Sequence, residues 1–163
     1  MQSKPVAATA FFGHLGIEWD LSAATDDERA ALREIVALHK RFRPLLHAGL
    51  VVRGDHGDPA ALVYGVVGAD GSEALFAYAQ VATSASTVPL LVRLPGLDPA
   101  ARYRVERVPL PGSARGPQKV EPAWYDAPSF VASGAALGGL GLALAVHNPE
   151  SATLLHVTAE PSN

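Results

Sequence analysis

The rhythm of apolar and polar positions along this 163-residue chain changes near Gly49. Residues 5–17 are apolar and mostly small. A continuous run of this kind predicts a strand covered on both faces, as in a parallel sheet. A helix start follows at once. Thr25-Asp-Asp-Glu28 has the spacing of a capping box, in which Thr25 and Glu28 satisfy each other's backbone N–H groups. Leu32, Ile35, Val36, His39 and Phe42 then recur at spacings of three and four, a single apolar stripe. Acids open this helix and Lys40, Arg41 and Arg43 lie near its end, matching the helix dipole. Pro44 is expected to kink or end the helix, with at most one more turn before a stop at Gly49.

Beyond Gly49 the pattern is β-like. The runs Leu50–Arg53, Leu62–Val67, Glu73–Ala82, Leu90–Leu94, Tyr103–Val108, Lys119–Trp124 and Leu154–Thr158 are candidate strands. Ala69-Asp-Gly71 marks a hairpin between the second and third. Short strands with turns between them predict an antiparallel sandwich or barrel. Val131–Val146 is 16 residues without a charge, too short to span a bilayer. Its glycines and the alternation in Leu140-x-Leu-x-Leu-x-Val146 favour a glycine-rich turn leading into a buried strand. The fold class read from the pattern is mainly β. An antiparallel β-sandwich over residues 49–163 is preceded, over 1–48, by the last strand and helix of a (β/α)8 barrel.

Composition narrows the function. A net charge of −3 and scattered arginines give no footprint for nucleic acid, and no membrane partner is indicated. The absence of cysteine excludes disulfides, thiolate metal sites and a cysteine nucleophile, and it fits a cytoplasmic, reducing compartment. No histidine pair has metalloprotease spacing. Asp55-His-Gly-Asp58 lacks the ligand count of a calcium loop, so neither metal nor cofactor is expected. Ser84, Ser86 and Ser133 sit in no nucleophile elbow, and Gly138-Gly-Leu-Gly141 does not follow the layout of a dinucleotide loop.

Glu18 and Asp20, two apart at the end of the first run, have the spacing of a carboxylate pair on one strand face. The competing reading makes Glu18 a rim hydrogen-bonder and Asp20 a turn cap, and it is preferred. Trp19 and His14 admit a sugar contact or plain packing. Trp124-Tyr125 admits a carbohydrate platform, but neighbours on a strand point to opposite faces, so one of them is assigned to the core.

Several segments resemble bacterial α-galactosidases of glycoside hydrolase family 36. Phe12-Gly-His-Leu-Gly-Ile-Glu-Trp-Asp-Leu21 resembles the family's last barrel strand, and His39-Lys-Arg-Phe-Arg-Pro-Leu-Leu-His47 the end of the following helix. Ser72-Glu-Ala-Leu-Phe-Ala-Tyr-Ala-Gln80 and Arg93-Leu-Pro-Gly-Leu-Asp-Pro99, followed by Tyr103-Arg-Val105, resemble its C-terminal β domain. Ser133–Gly141 and Asn148-Pro-Glu-Ser151 resemble its closing segment. The resemblance implies a parent enzyme that hydrolyses terminal α-galactosides with retention. Retention requires a nucleophilic and an acid/base carboxylate about 5–5.5 Å apart. In the family both are aspartates on earlier barrel strands, the nucleophile in a Lys-Trp-Asp type motif that does not occur here. No catalytic residue is therefore carried over, and no substrate-binding residue is assigned.

The expectation is a C-terminal fragment that stabilises the barrel and is inactive alone. Its partner is the missing N-terminal and barrel portion, which supplies the α-galactoside site. Without that portion, an uncovered barrel strand predicts oligomers or aggregation. The alternative is a stand-alone β-sandwich module that binds carbohydrate or a protein.

Overall fold

The computed structural model describes residues 11–13, 15–17, 20–86, 88–111, 121–145 and 147–161. Helix α1 (Asp26–Ala48) begins with the expected capping box: the Thr25 hydroxyl accepts from the Glu28 N–H, and the Glu28 carboxylate accepts from the Thr25 N–H at 2.9 Å. The helix continues through Pro44. Proline removes one intrahelical hydrogen bond, but both Pro44 and Lys40, the residue four before it, are exposed, so the break falls on the solvent side of the helix. Phe42 before Pro44 and Leu45 and Leu46 after it are buried, and this packing holds the helix across the break. Gly49 ends it, its N–H donating to the Leu45 carbonyl at 2.8 Å. A Cβ on Gly49 would lie 2.4 Å from Val66 Cγ1, so glycine is needed there for close approach rather than for a left-handed conformation.

Among the described residues, six strands form one antiparallel sheet in the order β1-β2-β3-β6-β4-β5. They are β1 (Leu50–Gly54), β2 (Ala61–Val67), β3 (Glu73–Gln80), β4 (Arg102–Val108), β5 (Ser129–Ser133) and β6 (Ser151–Ala159). The expected hairpin joins β2 to β3, with the Asp70 carboxylate accepting from the N–H and hydroxyl of Ser72. Strand β6, last in the chain, lies between β3 and β4. Leu154, Leu155 and Val157 on it are fully buried because both its edges are paired and both its faces covered.

The two faces carry separate cores. On one, Phe42, Leu45 and Leu46 of α1 pack with Val66, Leu75, Ala77 and Leu154. On the other, Phe76, Tyr103, Val105, Leu155 and Val157 pack with Val92, Leu94, Leu97, Leu137, Leu142 and Leu144. The domain is mainly β as expected, and it is the expected second sheet of the sandwich that takes another form on this face. In place of a second sheet, the described residues cover that face with irregular chain and a short helix α2 (Gly134–Gly139). The expected strand at Leu90–Leu94 and the described part, 140–145, of the one expected over 140–146 reduce to one bridge, in which Val92 and Leu142 exchange two 2.9 Å hydrogen bonds. The alternation of Leu142 and Leu144 reflects burial against the sheet rather than membership of one.

Two further expectations change. Of the run predicted as a strand over 119–124, residues 119–120 lie outside the described residues. Ala123–Asp126 is a 3-10 turn, because Pro122 donates no ladder bond and its carbonyl accepts from the Tyr125 N–H at 2.8 Å. The barrel strand predicted over 5–17 falls partly outside the described residues, and 11–13 and 15–17 form no strand. Phe11 has helical backbone, and its ring is fully buried against His39 and Phe42. A strand of a closed barrel is paired on both edges, and among the described residues no strand lies beside this segment.

Candidate functional site

Three places bring chemistry-bearing side chains together. The first is the end of the sheet where β2 begins and β3 ends. Tyr78 is buried there between the rings of His56 and His147, at centroid distances of 5.5 and 5.1 Å. Its hydroxyl donates to Gln80 Oε1 at 2.8 Å, and Gln80 Nε2 donates to the carbonyls of Ala60 and Ala82. Burial, reinforced by the Asp58 charge, pushes the Tyr78 hydroxyl above the usual phenol range. The Asp58 carboxylate is held below the usual range, chiefly by the Ala60 N–H and then by Ser84.

His147 donates from Nδ1 to the Ala145 carbonyl and accepts from the Thr153 hydroxyl at Nε2, at 2.6 and 2.7 Å. Burial holds its pKa below the usual histidine value, consistent with that neutral tautomer. His56 accepts the Asp58 N–H at Nδ1, which leaves the ring proton on Nε2. These groups tie three loops to the sheet, and the Tyr78 hydroxyl is spent on that task rather than offered as a nucleophile or acid.

The second place lies on the α1 face. His156 of β6 is buried against the Phe42 ring, with Glu73 Oε1 at 2.7 Å and Glu106 Oε2 at 3.9 Å. Glu106 faces His156 directly across the β4–β6 ladder, and Glu73 approaches from β3. The sequence carried no signal of this cluster, because its members are separated by up to 83 positions. The third place is an open groove of about 440 Å3 along the N-terminal half of α1, with no carboxylate among its described lining residues.

The sequence candidates are dispersed. His14, Glu18 and Trp19 lie outside the described residues. Asp20 is exposed, and its carboxylate accepts from the N–H and hydroxyl of Ser22 at 2.9 and 2.6 Å, which lowers its pKa and caps the turn into α1. Asp58 caps the turn into β2 by accepting the Ala60 N–H at 2.9 Å. The Ser133 hydroxyl caps α2. Among the described residues, no group of three or more His, Asp or Glu side chains is placed to hold a metal ion. Trp124 and Tyr125 sit on one turn with rings 4.6 Å apart, so the opposite-face argument does not apply. Trp124 Nε1 donates to the Ala143 carbonyl, the Tyr125 hydroxyl accepts the Ala145 N–H, and Arg107 stacks 3.7 Å over the Tyr125 ring. Both rings are thereby built into the second layer.

A family model, the glycosyl hydrolase family 36 C-terminal domain, matches residues 59–157. The chain belongs to glycosyl hydrolase family 36. It is 39% identical over 152 residues to the Escherichia coli protein "Alpha-galactosidase", a match covering 90% of this chain and 21% of that one. It is 35% identical over 100 residues to "Alpha-galactosidase AgaA" of Geobacillus stearothermophilus, covering 60% of this chain and 13% of that one. A crystal structure of that family 36 enzyme superimposes with a TM-score of 0.71 at 27% identity, over 94% of this chain and 19% of that one. The chain thus spans about a fifth of the length of the family 36 proteins it matches.

The family-like segments acquire reasons in the structure. In Arg93–Pro99, Leu94 and Leu97 are core residues and Gly96 takes φ +85°. The Asp98 N–H donates to the hydroxyl of Tyr103, which in turn donates to the Gly71 carbonyl. In Asn148–Ser151, Glu150 takes φ 61° and its N–H donates to the Gln80 carbonyl. No helix among the described residues is long and apolar enough to cross a membrane.

Proposed function

We propose that this chain is the C-terminal portion of a retaining α-galactosidase, a β domain that braces the catalytic portion and carries neither catalytic aspartate. The observation that carries this reading is the match of 90% of the chain to 21% of the E. coli α-galactosidase. Residues 1–48 are then assigned to the end of the catalytic barrel and 49–163 to the β domain. The start of the family domain at residue 59, after α1, supports that division.

The geometry agrees with a supporting role. A retaining hydrolase needs two carboxylates about 5–5.5 Å apart across a sugar-sized cleft. The carboxylates of Asp20, Asp58 and Asp70 cap turns, and Glu28 caps α1. Glu73 and Glu106 converge on His156 at a packed helix–sheet boundary rather than on a cleft. Among the described residues that line it, the groove on α1 presents no carboxylate.

The test is turnover of p-nitrophenyl α-galactoside by the purified 163-residue chain. None is expected, and measurable turnover above a buffer blank overturns the assignment.

A further inference from the structure

Strand β1 is an edge of the sheet, and among the described residues no strand lies on its outer side. The register fixes which backbone groups this edge presents. The Gly68 N–H donates to the Glu73 carbonyl and the Val81 N–H to the Ala60 carbonyl, so both bonds continue the β2–β3 register past the ends of its ladder. Bonding direction alternates along an antiparallel strand. The even-numbered residues of β2 therefore bond β3, and Val63, Gly65 and Val67 bond β1. Their partners on β1 are Gly54, Val52 and Leu50. The N–H and carbonyl groups of Val51 and Arg53 thus point away from the sheet, and no backbone group among the described residues bonds them.

Sheet edges are normally blunted by a proline, a bulge or a covering segment. The β1 register runs unbroken from Leu50 to Gly54, and the strand holds no proline. Leu50 and Val51 are left 70% and 68% exposed.

Two outward residues flanking Val52 make this edge complementary to itself. A second copy turned about a two-fold axis at Val52 sets Val51 against Arg53 of the second copy, and Arg53 against its Val51. Both are hydrogen-bonded pairs, each exchanging two backbone bonds. Pairing Val51 with Val51 instead would set Arg53 against Gly49, whose N–H is already given to Leu45. The side chains fit the same axis. Val52 meets Val52, a β-branched pair, and the exposed Leu50 lies across from Gly54, which has no side chain to displace. The two exposed Arg53 side chains fall on a diagonal of one face, a repulsion that salt screens. We infer that β1 is a self-pairing edge that joins two copies of this chain into one continuous antiparallel sheet. The inference uses the sheet edge alone and is independent of the function proposed above. Five residues a side fall below the roughly 1,200 Å2 of a standard interface, so the association is expected to be weak and concentration-dependent.

The experiment is disulfide trapping, which this cysteine-free chain allows without background. In the inferred register the two Val52 Cα atoms face each other as a non-hydrogen-bonded pair about 4.5 Å apart, within the span of a disulfide. Val52→Cys is compared with Leu50→Cys in a glutathione redox buffer at about 0.15 M salt, with folding checked by circular dichroism. Val52 is half-buried and Leu50 largely exposed, so random collision favours Leu50→Cys. Register pairing reverses that order, and the Val52→Cys dimer is expected to form at least about tenfold faster.

Val51→Pro removes an outward N–H without touching the β2 ladder, at the kind of edge position where strands accept proline. Added to Val52→Cys, it should slow trapping to the Leu50→Cys rate while the melting temperature stays within about 3 °C. Leu50→Cys trapping as fast as Val52→Cys overturns the inference, and so does trapping that Val51→Pro leaves unchanged. Should Val52→Cys fail to fold, sedimentation of the cysteine-free chain decides. The unaltered chain is expected to associate by about 0.5 mM and the Val51→Pro chain to remain monomeric. An unaltered chain that stays monomeric, or a Val51→Pro chain that associates equally, overturns the self-pairing edge. Every outcome leaves the proposed function standing.

Discussion

Replacing Tyr103 by Phe removes one oxygen atom from the middle of the domain. Tyr103 of β4 is fully buried, and its hydroxyl accepts the Asp98 N–H at 3.1 Å while donating to the Gly71 carbonyl at 3.0 Å. It therefore joins the β2–β3 hairpin turn to the loop before β4. Phe keeps the ring in place, so no cavity opens, and the loss is confined to the two hydrogen bonds. A typical net contribution is about 0.5–1.5 kcal/mol per bond, which gives about 1–3 kcal/mol for the pair. Asp98 is an exposed residue and its bond to the hydroxyl is only part-buried, which places the expected loss in the lower half, about 1–2 kcal/mol. For a chain of this size the melting temperature should fall by roughly 3–8 °C.

Urea unfolding followed by circular dichroism measures this directly. The midpoint should drop while the slope stays constant, because the surface exposed on unfolding is unchanged. A Tyr103→Phe variant within about 0.3 kcal/mol of the parent would refute the argument that this hydroxyl pins the two turns together.

Three other outcomes follow from local geometry. Thr25→Ala deletes the capping box and should cost about 1 kcal/mol, seen as faster amide exchange in the first turn of α1; unchanged exchange would contradict it. Glu150→Gly relieves a non-glycine residue at φ 61° and should raise the urea midpoint by an equivalent of about 0.5–1 kcal/mol, so a lower midpoint would count against strain there. His147 is held neutral by burial, so the unfolded chain binds its proton more readily than the folded one. Its contribution is fully present above the ordinary value of 6.5 and is lost as pH falls below it. The midpoint should decline on acidification from that point, and His147→Gln should flatten the decline.

What the amino-acid sequence determined by itself was local. The Thr25–Glu28 box, the Ala69–Gly71 hairpin and the runs that became β1, β2, β3, β4 and β6 were legible because each depends on a few neighbouring residues. Tertiary contacts decided the rest. Helix α1 survives Pro44 because Phe42, Leu45 and Leu46 are buried on the sheet. Leu90–Leu94 is not a strand because the opposing chain at Leu142 meets it at one bridge only. Ser129–Ser133 becomes β5 because β4 offers it an open edge, although its own pattern is weak.

The polar clusters were invisible for the same reason. Glu73, Glu106 and His156 are ordinary surface-type residues in the sequence, and only the insertion of β6 between β3 and β4 brings them together. The groove on α1 needed the segment holding Ile17 and Leu21 to lie beside Leu32 and Val36. Periodicity reports which side of an element is apolar. Which surface meets that side is set by long-range packing, and there the sequence read alone stops.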